Sequence, residues 1–111
     1  MIVERQTLQE RFAKLEWTQQ MGNLASTLAR ISSRAESPQY DELVASLLRE
    51  AALFIEWSAA QAPESMLLDL ATLQRECLAW RSVWPVDSSR ALLSLQARNA
   101  SDRLLQRAHL I

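Results

Sequence analysis

The sequence predicts an all-α protein: an antiparallel up-down-up-down four-helix bundle with a long first helix. Three observations carry this. Leu and Ala dominate while the β-branched residues are scarce, and straight side chains lose little rotamer freedom in a helix. One glycine and three prolines in 111 residues are too few turn-formers for a chain of many short strands. The prolines stand between, not within, stretches whose apolar residues recur every three or four positions.

The first helix is expected from about Val3 to Arg34, with Arg30 and Arg34 at its negative pole. Ser37-Pro38 reads as an N-cap followed by the first helical residue, where a missing N–H costs nothing. The second helix then runs to about Gln61, with Tyr40, Leu43, Val44, Leu47, Leu48, Ala51, Phe54 and Ile55 in one wide stripe. Pro63 opens a third helix ending near Val83, along which Met66, Leu70, Leu73, Cys77, Trp80 and Trp84 keep the rhythm. Trp84-Pro85-Val86-Asp87 makes the last corner, with Asp87 as the expected N-cap. The fourth helix, to about His109, carries a stripe of smaller residues: Leu93, Ala97, Ala100, Leu104, Ala108 and Ile111. Short connections make neighbouring helices antiparallel. No repeat or linker interrupts residues 1–111, so a single domain is expected.

The first helix breaks the pattern. Leu8, Phe12 and Leu15 form one apolar stripe; Trp17, Met21, Leu24, Leu28 and Ile31 form another. At about 100° per residue, Leu8 and Trp17 lie about 180° apart, so the apolar side reverses near Glu16. Two accounts fit. Either the helix bends, for which Gly22 is a permitted place, or it runs unbroken for about 48 Å and offers its first stripe to a partner chain. On the second account Leu8, Phe12 and Leu15 form a homodimer interface, with small residues such as Gly22 and Ser26 allowing close approach. Leu53 and Trp57 lie opposite the core stripe of the second helix and form a further candidate patch. Leu68 is similarly out of place on the third helix.

The chemistry-bearing residues are few. Cys77 is the only cysteine and His109 the only histidine, which leaves no internal disulfide and too few ligands for a structural zinc. One glycine cannot build a phosphate-cradling loop. Net charge is −1, and the arginines of the last helix make no stripe, so nucleic acid is not an expected partner. A basic first and fourth helix beside an acidic second one could steer self-association. No stretch approaches a membrane span, and the N-terminus is no secretory signal, so a reducing cytoplasm is expected.

Arg103 and His109, spaced Arg-x5-His on the last helix, resemble the motif of the HEPN ribonucleases. The resemblance covers seven residues. It implies a dimer of helical bundles whose arginine and histidine promote attack by a ribose 2′-hydroxyl. Leu104 stands where that family has a polar residue, and about 600° of rotation separates the two side chains. The preferred reading is a non-catalytic interaction module without cofactors, acting on a protein partner or a second copy of itself. The alternatives are a HEPN-like nuclease or toxin-type bundle, and a bundle binding an apolar ligand among its tryptophans.

Overall fold

The computed structural model describes residues 2–110, with side chains from residue 7 onward; Ile111 lies outside the described residues. Helix makes up 84% of the described residues, which contain no strand. The described residues form five α-helices rather than four: α1 (Ile2–Ala13), α2 (Trp17–Arg34), α3 (Asp41–Ser58), α4 (Glu64–Val83) and α5 (Arg90–Arg107). Short 3-10 turns, Pro38–Tyr40 and Asp87–Ser89, lead into α3 and α5.

The long first helix is thereby corrected. It ends at Ala13 and restarts at Trp17, where the apolar stripe changes sides. Gly22, the expected bend, lies in the middle of α2. The break satisfies its own backbone locally. Glu16 N–H donates to Gln19 Oε1 at 3.1 Å, and Gln20 N–H to the Glu16 carbonyl at 2.9 Å. The carbonyls freed at the end of α1 accept from side chains elsewhere in the chain: Gln20 Nε2 reaches Phe12 O at 3.0 Å and Gln61 Nε2 reaches Ala13 O at 3.1 Å. Phe12 O also accepts from Leu15 N–H at 3.1 Å, so the acceptors at this helix end are satisfied in place.

The expected corners stand with two adjustments. Ser37 stands at the N-cap position of the 3-10 turn that Pro38 begins, without a side-chain cap hydrogen bond. Pro63 is itself the residue before α4. Asp87 begins a 3-10 turn instead of capping the last helix; its carboxylate accepts from Arg90 Nε at 2.9 Å.

Buried side chains from all five helices form one cluster. α2 packs closely on both α3 and α5, α4 packs on α3, and α1 lies against α3. The α2–α5 contact is built on small residues, as the stripe of α5 predicts. Ser32 and Ser94 exchange hydroxyl-to-carbonyl hydrogen bonds of 2.7 and 2.8 Å, and Ser101 Oγ donates to Ala25 O at 2.8 Å. These pairs run in opposite directions along the two helices, so α2 and α5 are antiparallel. One end of the fold is tied by Arg90. It donates to both carboxylate oxygens of Asp41 (2.7 and 3.0 Å), to the Ala35 carbonyl at 3.2 Å and to Asp87, and lies over the Trp84 ring.

Candidate functional site

The residues expected to face a partner are placed as follows. Phe12 is buried at 2% exposure. Its ring stacks on Phe54 with centroids 4.5 Å apart, and Trp57 completes the cluster at about 6 Å from both rings. Leu15 is half-buried against the same core and Leu53 is half-buried. Leu8 stays 36% exposed, and Gly22 lies beside Leu110. The two patches that had no place in the sequence pattern therefore meet each other. The break at 14–16 turns α1 so that its stripe covers the outlying face of α3.

The apolar surface that remains uncovered is on α4. Core residues Met66, Leu70 and Cys77 occupy one side of this helix. The rest of its circumference mixes charged residues (Glu64, Asp69, Arg75, Glu76 and Arg81) with exposed apolar ones: Leu68 is 75% exposed, Val83 57%, Leu78 47% and Leu67 39%, with Ala71, Thr72 and Ala79 exposed between them. Leu92 and Leu95 add exposed apolar area on α5. Large apolar side chains this exposed, on a helix whose other side is already buried, mark a candidate contact surface. Leu68 is legible in the sequence as misplaced. The others are found by a second reading of the same helix, because Leu67, Ala71, Gln74 and Leu78 also follow a four-three-four spacing, on a different side from the core stripe.

α4 and α5 do not pack closely. Two side-chain bridges join them: Trp80 Nε1 donates to Gln96 Oε1 at 2.9 Å, and Arg107 pairs with Asp69 and donates to Ser65 O at 3.0 Å. Between the bridges lies an open cleft of about 260 Å³. Its floor is Leu28, Ile31, Leu48, Leu73, Cys77 and Leu93; its rim carries Glu76, Gln96, Asn99 and Arg103. Arg103 has no ion-pair partner among the described residues. His109 does not line the cleft. It stands beyond the end of α5 with a left-handed backbone (φ 59°). Cys77 is buried at the cleft floor, and burial, helped by the charge of Glu76, pushes its thiol up to about 12. A thiol so raised is a poor nucleophile near neutral pH.

No group of three or more acidic, His or Cys side chains among the described residues is placed to hold a metal ion. No helix among them is long and apolar enough to cross a membrane. Comparison with protein-family models, with curated proteins and with solved structures finds no match to this chain.

Proposed function

We propose that this chain is a non-catalytic helical interaction module whose working surface is the outward side of α4, and whose partner is in the first place a second copy of itself. The observation that carries this is the row of exposed leucines and valine on a helix already buried on its opposite side. Several large apolar side chains exposed on one helix of a small protein mark a candidate interaction site. Two-fold pairing is the commonest way to cover it. The chemistry-bearing residues support the non-catalytic reading: the thiol is buried, and Arg103 and His109 do not share a cleft. The test is mass in solution against concentration. A dimer that dissociates when Leu68 and Leu78 are both changed to Glu, leaving a helical monomer, supports the reading. A monomer at about 100 µM, a concentration that would populate even a weak pair, would overturn self-association.

A second reading rests on the α4–α5 cleft. An apolar floor with polar groups at the rim suits a small amphipathic ligand. An environment-sensitive apolar dye, competed by medium-chain fatty acids and lost on Ala97→Trp, would support it; no dye binding to the folded protein would remove it.

A further inference from the structure

Along one side of α4 the residues Glu64, Leu67, Ala71, Gln74, Leu78 and Arg81 recur at alternating steps of three and four, the spacing of a coiled-coil seam. All but Gln74 are exposed; Gln74 is half-buried, and its Nε2 donates to the Ala52 carbonyl of α3 at 3.0 Å, so it borders the seam with its amide held by its own chain. Read from opposite ends, the seam is complementary to itself. If a second α4 runs antiparallel, with the two-fold axis passing between Thr72 and Leu73, Leu67 meets Leu78 of the other copy, Ala71 meets Gln74, and Glu64 meets Arg81. Each contact occurs twice. The two charges at the ends have no ion-pair partner within the described residues. They lie about 25 Å apart along the helix, too far to pair with each other in one chain.

We infer that α4 pairs antiparallel with α4 of a second copy in this register, closed at each end by a Glu64–Arg81 ion pair between chains. This rests on the reading of the chain as a self-associating module and specifies its geometry. Three features favour a second copy over an unrelated partner. The charge pattern is matched by its own reversal. The small Ala71 sits next to the axis, where two helices crossing at close range need small side chains. Leu67 and Ala71 also border a notch of about 230 Å³ against Ile55 and Glu56 of α3 and Ala59 just beyond its end, which gives the second helix a seat rather than a convex ridge. One helix face covers less than the roughly 800 Å² per partner of a standard interface, so the pair should form in the micromolar range rather than as an obligate dimer.

The test is sedimentation equilibrium of the full chain up to about 100 µM, for the unaltered protein, Glu64→Arg, Arg81→Glu and the double exchange. All sites are exposed, and far-UV circular dichroism confirms that each variant keeps its helix. Each single change places like charges at both ends and should weaken the dimer about tenfold; the double exchange restores opposite charges and should recover most of that. A dimer indifferent to all three variants overturns this pairing while self-association stands. Weakening by the single changes without recovery in the double overturns the register. A monomer for the unaltered protein overturns both this pairing and the self-association on which it rests.

Discussion

Phe12 of α1 and Phe54 of α3 stack with ring centroids 4.5 Å apart and planes 8° from parallel, and this pair fixes how the first helix lies on the rest. Removing a buried phenylalanine ring costs about 3–5 kcal/mol. Phe12→Ala should therefore lower unfolding stability by about that amount, measured by urea denaturation, with the native mass unchanged. A loss of dimer without loss of stability would instead place Phe12 between chains.

Gly22 gives a prediction of opposite sign. It is helical, has no positive φ, and a methyl group there would meet only Leu110 Cδ1 at 3.4 Å, an ordinary contact. Glycine inside a helix costs about 0.8–1.0 kcal/mol relative to alanine. Gly22→Ala should raise stability by about 0.5–1 kcal/mol, seen as a higher urea midpoint. A destabilised variant would mean that the site needs glycine for a bend or a close approach.

Asp41 makes stability depend on acid. Its carboxyl is held below its ordinary value of 3.8, chiefly by the hydrogen bonds from Arg90, whose own value is raised by the same contact. Because the folded value lies below the unfolded one, the contribution is present above about pH 5 and is lost as pH falls through that range toward the folded value. Asp41→Asn should lower the urea midpoint at pH 7 and narrow its difference from the unaltered protein near about pH 2. Parallel curves for the two proteins would contradict this.

Cys77 should be inert while the chain is folded. With its thiol pushed up to about 12 by burial, only about one molecule in ten thousand carries the thiolate at pH 8. Labelling by a disulfide-exchange reagent should be slow in buffer and complete within minutes in denaturant. Fast labelling of the native protein would show that the α4–α5 cleft opens to its floor.

Composition and apolar period determined that the chain is helical, and Ser37-Pro38, Pro63 and Trp84-Pro85 marked the corners, because capping and proline sterics act within a few residues. The reversal of the apolar stripe at Glu16 was equally legible, since it is a local count of rotation. What that reversal meant was not. A displaced stripe reads the same whether it covers a neighbouring helix of its own chain or one of another. Only the tertiary structure placed Phe12 on Phe54 and Trp57, using two leftover patches to cover each other. The outward face of α4 was hidden for a related reason. Its leucines share a helix with the core stripe, and a period of three and four describes both sides. Which side faces inward depends on the positions of α2, α3 and α5, and those are set by long-range packing that no local pattern records.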